Sequence, residues 1–275
     1  MFKANEIYLR NVMDVLKSTD NTLGEKVRPK YEDGTPSHTQ FITNIVDTYD
    51  ISKGEFPITN FRPVAWKSCI KEILWMWQDQ SNDLDILENK YDVHWWNSWD
   101  IGDRTVGLRY GAILKKYDLV NKLIRELKET PYSRRHVINM LQYSDYAATP
   151  GLQSCVYETI WNTRGDYLDL IVMQRSSDYI VSETLDRLQY CALMMMVAHS
   201  VGKKPGKYTY VVANLHIYDR NIKQAKLLVR RNPIDLQPKL IFEPESNNFY
   251  EYTIDDFRLE DFECPYANLK FEKAI

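Results

Sequence analysis

Cys155, in the run SCVYET, is the residue type best suited to nucleophilic chemistry, since a thiolate attacks electron-poor carbon. A lone cysteine is more often a small buried hydrophobe than a nucleophile, and nucleophilic use needs cationic or hydrogen-bonding neighbours. Such neighbours exist at a distance in sequence: Arg28 in VRPKYEDG, Arg134 and Arg135 in SRR, and Arg175 with Ser176 in QRSSD. Singly these read as surface features; converging, their forked donors and hydroxyls would suit a phosphate. Two acids complete the set. Asp178 and Asp186 lie in MQRSSDYIVSETLDRLQY, the second among apolar neighbours where burying its charged form is costly. His216 and Tyr218, in HIY, alternate and so share one strand face, a spacing that serves packing as readily as ligand contact. No Gly-rich phosphate loop and no Ser-His-Asp spacing is present.

These residues need elements to hold them. Apolar periodicity predicts a first helix over about residues 3–18. EKVRPKYEDGTPSHT then reads as an extended loop with a D-G turn. VAWKSCIKEILWMWQ places Val64, Ile70, Ile73, Leu74 and Trp77 at helical spacing, and DLVNKLIRELKE predicts a shorter helix before TPYSRRHVINMLQY. SCVYETIWNTRGDYLDLIVMQRS reads as two strands joined at an R-G-D turn. A helix is expected from about Ser182, with Ser182 as N-cap and Leu185, Leu188, Ala192, Leu193 and Met196 on one face. Asp186 then groups with Tyr190 and Leu193, or faces solvent as an early-helix acid that the helix dipole favours. KYTYVVANLHIY is a β-rich run before the helical DRNIKQAKLLVRR. Strands and helices mix without regular βαβ alternation, which predicts an α+β fold in a single domain spanning 1–275.

The 275 residues suffice for a substantial core, and 13% aromatic content suits either that core or a ring-binding cleft. A net charge of -3 and a pI near 6.0 argue against nucleic acid as the main partner but leave room for a small anion. The opening MFKANEIYLRNVMDVLKS is not built like a signal peptide, and CALMMMVAH is too short to span a bilayer. Cys69, Cys155, Cys191 and Cys264 show no metal or disulfide spacing. A soluble, cytoplasmic protein without metal or membrane partner is the expectation (host cytoplasm if virus-borne).

Taken in order, SRR, SCVYET, QRSSD and HIY resemble the thymidylate synthase family, and the resemblance runs nearly the whole chain. VRPKYEDGTPSHT is similar to the family's Arg-bearing loop and AWKSCIKEILWMWQDQSND to its long helix with a functional Glu. VHWWNSW is similar to its Trp-bearing segment, VGLRYG to the segment with a catalytic Tyr, and FEKAI to the tail that closes over ligands. The resemblance implies a homodimer with a mixed sheet at its centre. It also implies 5,10-methylenetetrahydrofolate as co-substrate and one-carbon transfer to C5 of a pyrimidine nucleotide.

Residue by residue, Cys155 matches the nucleophile that adds to C6, and Arg28, Arg175 and Ser176 match phosphate ligands. Arg134 and Arg135 match ligands reaching across from the other subunit. Arg175 would also help keep Cys155 ionised. Glu72 matches the carboxylate that organises proton transfer through water, and Tyr110 a residue near the C5 proton. Trp96, Trp99, Asp178, Ser182 and Ile275 match the folate side, Asp178 also bordering the pyrimidine. His216 and Tyr218 match groups on the sugar hydroxyl.

The chain departs from the family pattern in places. Asp186 stands where a dUMP enzyme carries the Asn of LGxPFN. A neutral Asp donates to cytosine N3 and accepts from the C4 amino group, a pattern that uracil reverses. The same exchange marks the family's deoxycytidylate (dCMP) hydroxymethylase branch, so the expected reaction is hydroxymethylation of dCMP. The alternatives are reductive methylation of dUMP or dCMP, favoured by retained Trp96, Trp99 and the terminal Ile275, and a non-catalytic nucleotide or mRNA binder. Asn214 and Asn221 replace the Asp and His of the family's GDxHIYxNH, and Ser154 replaces the proline before the nucleophile.

Overall fold

The computed structural model describes residues 1–275. The opening segment folds as α1 (Lys3–Lys17) and buries Ala4, Ile7, Tyr8, Val12 and Val15. A loop with Gly34 at φ 80° in its D-G turn leads into β1 (Thr39–Asp50). Helix α2 (Trp66–Ile73) runs on into a π-helical turn, Leu74–Gln78, that carries buried Trp75 and Trp77. Then come α3 (Leu84–Tyr91), α4 (Gly111–Lys116), α5 (Leu119–Glu129), β2 (Val137–Asn139) and α6 (Tyr143–Ala148). The second half supplies β3 (Val156–Arg164), β4 (Tyr167–Gln174), β5 (Ser177–Asp178), α7 (Tyr179–Ser200) and β6 (Lys204–Tyr218). Short α8 (Ile222–Leu228) and the hairpin of β7 (Lys239–Phe242) with β8 (Phe257–Glu260) complete the chain.

One mixed sheet runs in the order β1-β6-β4-β3-β2, with β5 also paired to β6. β4 and β6 are parallel, as are β5 and β6, and the remaining pairs are antiparallel. The parallel pair needs a crossover, which α7 provides. The predicted R-G-D turn is the hairpin between β3 and β4, where Gly165 takes φ 61°. Along β4, Leu168, Leu170, Val172 and Gln174 face the core, against Trp161 of β3 and Tyr208, Tyr210 and Val212 of β6. The opposite face carries Ile160, Ile171, Met173 and Val211 half-buried, with Val46 59% exposed.

Two expectations about α7 give way. The helix starts at Tyr179 with Asp178 in the N-cap position, so Ser182 lies inside its first turn. The pairing of Ser177–Asp178 with Leu215–His216 carries the strand to that point, and the helix turns directly off it. Nor is α7 one-faced: every residue from Arg187 to Ala198 is buried, because the helix lies between the sheet and α2.

Candidate active site

Cys155 ends an irregular segment that its neighbours lace into place. Arg109, 2% exposed, donates from Nε to Leu152 O (2.7 Å) and from Nη2 to Thr149 O (3.0 Å), and its guanidinium stacks on Tyr146 at 4.0 Å. The Tyr146 hydroxyl accepts the Ser154 N–H (3.2 Å), and the Tyr110 hydroxyl accepts that of Cys155 (2.8 Å). Tyr110 itself sits at φ 44°, a conformation that costs free energy in a non-glycine residue. Gly111 permits the turn, since a Cβ there would lie 2.3 Å from the Ser81 carbonyl oxygen. From the other side Arg175 donates to Ser154 O (3.1 Å) and Gln153 O (2.7 Å), with Nη2 3.9 Å from the Cys155 sulfur. Arg175 and Arg28 both pull the thiol pKa down, yet burial outweighs them and leaves it raised. Arg175 therefore opposes the desolvation of the thiol without overcoming it.

Of three buried acids, Asp186 acts on this thiol directly, raising its pKa by its charge. Glu72, on α2, accepts from Trp95 Nε1 and is pushed up to about 7 by burial. Asp186 receives two donors on one oxygen, Gln174 Nε2 (2.9 Å) and Ser182 Oγ (2.8 Å), and burial still raises its pKa. Asp178, raised by burial to about 7, has a buried Oδ1 without a partner. The charge of Asp186 raises Cys155, Glu72, Asp178 and Tyr190 alike, so these groups lie around one buried carboxyl. Asp186 thus faces inward, and the solvent-facing alternative falls away. The Ser182 hydroxyl is the second of its two donors, from the first turn of α7.

On β6, His216 shares Nδ1 with Asn214 Oδ1 at 3.0 Å and is lowered to about 4 by burial. Its ring packs edge-on against Tyr218, with centroids 5.0 Å apart. Trp96 is buried against Trp99 (5.3 Å) and Tyr110 (5.5 Å), which makes an aromatic wall. Arg28 and Ser176 carry no side-chain hydrogen bond to the rest of the chain. Ile275 exchanges backbone hydrogen bonds with Lys30, which brings the closing segment onto the Arg28 loop. Arg134 and Arg135 are exposed, form no ion pair, and are not brought to Cys155 within this chain. No cluster of His, Cys, Asp or Glu suited to a metal is present, and no helix is long and apolar enough to cross a membrane.

Sequence reasoning passed over Gln174, Arg109 and Arg62. Gln174 had a legible signal, a polar residue two positions on from core-facing Val172 in the same strand. Arg62 donates to Val181 O (2.5 Å) and lowers Asp178, neither of which sequence spacing foretells.

Residues 6–275 match the family model for thymidylate synthase. A thymidylate synthase from Streptococcus pneumoniae strain 70585 is 44% identical over 281 residues, covering 100% of both chains, and one from Streptococcus gordonii matches to the same extent. The solved thermostable thymidylate synthase A from Bacillus subtilis superposes with a TM-score of 0.92 at 34% identity, over 99% of this chain and 100% of that one. These names back the expected alternative, reductive methylation, better than the hydroxymethylase branch, which none of these relatives supports. The family model, the full-length relatives and the superposed fold agree, and the chain belongs to the thymidylate synthase family.

Proposed function

We propose that the chain is a folate-dependent C5 transferase whose base-reading position selects cytosine, converting dCMP to 5-hydroxymethyl-dCMP. The observation that carries this reading is Asp186, a buried carboxyl with a raised pKa in the cleft that holds Cys155. Gln174 and Ser182 both donate to Oδ2, which favours placing the acid proton on Oδ1. A proton there can be given to cytosine N3, whereas uracil N3–H would meet it donor to donor. Reductive methylation is the second reading. The relatives' names favour dUMP as its substrate, and the wall of Trp96, Trp99 and Tyr110 favours a dry site.

In either case Cys155 adds to C6 of the ring, the electron pair reaches C5, and C5 becomes the nucleophile toward the one-carbon unit. Methylenetetrahydrofolate supplies that unit. Its fit rests on the unpartnered Asp178 Oδ1 and the Trp96–Trp99 wall, which offer a polar contact beside an apolar one. Arg28, Arg175 and Ser176 hold the nucleotide phosphate, Tyr110 borders C5, and Glu72, near pKa 7, exchanges protons at neutral pH. His216 and Tyr218 meet the sugar. The half-buried apolar sheet face around Val46, Val211 and Met173 supports a homodimer through which Arg134 and Arg135 reach the partner's phosphate.

Purified protein supplied with methylenetetrahydrofolate and either nucleotide decides between the readings. The proposal expects consumption of dCMP, a product heavier by CH2O, and no dihydrofolate. Dihydrofolate formed with dUMP overturns it in favour of thymidylate synthesis. A CH2 gain on dCMP keeps the base and replaces the product.

A further inference from the structure

Just after His216 and Tyr218 the chain turns at Asp219–Asn221, and two distant segments meet on that turn. Arg220 donates to Glu272 Oε2 (2.7 Å), Asp33 Oδ2 (2.8 Å) and Thr35 Oγ1 (2.8 Å), with its guanidinium 4.1 Å from the Tyr31 ring centroid. The Tyr31 hydroxyl donates in turn to Asp219. Asn221, 0% exposed, grips the backbone of Glu272: Nδ2 donates to its carbonyl (2.9 Å) and Oδ1 accepts its N–H (3.1 Å). Asp33, Thr35 and Tyr31 belong to the loop that carries Arg28, and Glu272 to the segment that ends at Ile275.

We infer that Arg220 and Asn221 form a latch joining the Arg28 loop to the closing segment, so that both dock and undock as one unit. An exposed ion pair alone stabilises little. Here one planar guanidinium serves a carboxylate on each segment while lying on an aromatic ring, a combination the compact lysine ammonium lacks. Asn221 adds a directional element. Its amide presents one donor and one acceptor side by side, which matches the C=O and N–H of a single residue. Undocking the segment breaks both of these bonds, which opposes release. The asparagine at 221, a departure from the family's His, thereby acquires a positioning role in closure. The consequence for catalysis rests on the phosphate and folate roles proposed above; the coupling itself does not.

Hydrogen exchange followed by mass spectrometry on the free protein reads the coupling directly. Arg220→Ala and Glu272→Gln are both expected to speed exchange of residues 269–275 and also of residues 29–35, by about ten-fold, while α7 keeps its protection. The double variant is expected to exchange no faster than Arg220→Ala, because that change already removes the Glu272 bond that Glu272→Gln weakens. In turnover with whichever nucleotide the enzyme accepts, KM for methylenetetrahydrofolate should rise about three- to ten-fold, with kcat less affected. If Glu272→Gln loosens 269–275 but leaves 29–35 unchanged, the two segments are independent and the latch is refuted. Unchanged exchange in both, or equal loss of protection in α7, refutes it as well. None of these exchange results depends on which base is the substrate.

Discussion

At the scale of single residues, the proposed function has Asp186 read the base and Cys155 begin the chemistry. Asp186→Asn should move selectivity from dCMP toward dUMP, because the amide donates and accepts in the order uracil requires. A kcat/KM ratio unchanged between the two nucleotides would remove Asp186 from base reading. The pH dependence has a definite sign. A carboxyl whose pKa is raised by burial keeps its proton to higher pH than a free aspartate. The dCMP-over-dUMP affinity ratio should therefore be largest at low pH and fall as pH climbs through that raised value. Measured by calorimetry in Cys155→Ala protein, which removes the thiol's own titration, the ratio should become flat once Asp186 is also Asn. The presence of this acid was legible in the sequence, but its pairing with Gln174 and Ser182 was not. Gln174 and Ser182 meet it only because β4 ends beside the first turn of α7.

At the scale of elements, periodicity located α1, the β3–β4 hairpin and the long strand β6, because each buries a regular pattern. It misplaced the start of α7, which is set by strand pairing rather than by a capping side chain. It also missed what α7 encloses. Arg187 is 0% exposed, 2.7 Å from Asp47 on β1 and 3.5 Å from Glu183, with Tyr179 and Tyr210 on its flanks. Asp47 also receives Asn11 and Arg10 from α1, so one carboxylate joins α1, β1 and α7. Removing one partner of a buried pair strands the other charge. Asp47→Ala should cost roughly 3–5 kcal/mol in urea unfolding. Arg10→Ala, at the half-exposed side of the same carboxylate, should cost under about 1 kcal/mol. Similar losses in both variants would mean that Arg187 finds compensation elsewhere.

At the scale of the whole molecule, a single chain gathers Cys155, Glu72, Asp178, Asp186 and His216 but leaves Arg134 and Arg135 outside the cleft. No spacing in the sequence reveals this, since a residue that served another subunit would have no partner in its own fold. The half-buried apolar face of the sheet, with Val46 exposed on it, offers a surface on which two copies could meet, and a two-fold interface would carry each Arg134–Arg135 pair to the other copy. Subunit mixing tests that geometry. Cys155→Ala protein lacks a nucleophile, and Arg134→Ala/Arg135→Ala protein lacks the donated cations, so each alone should be nearly inactive. In a mixed dimer one site pairs an intact Cys155 with intact arginines from its neighbour. Random reassortment of equal amounts should then restore about a quarter of the wild-type sites, because half of the dimers are mixed and each holds one complete site. Activity that stays at the level of the separate variants after reassortment would show that the arginines serve their own subunit, and the proposed two-fold arrangement would have to be abandoned.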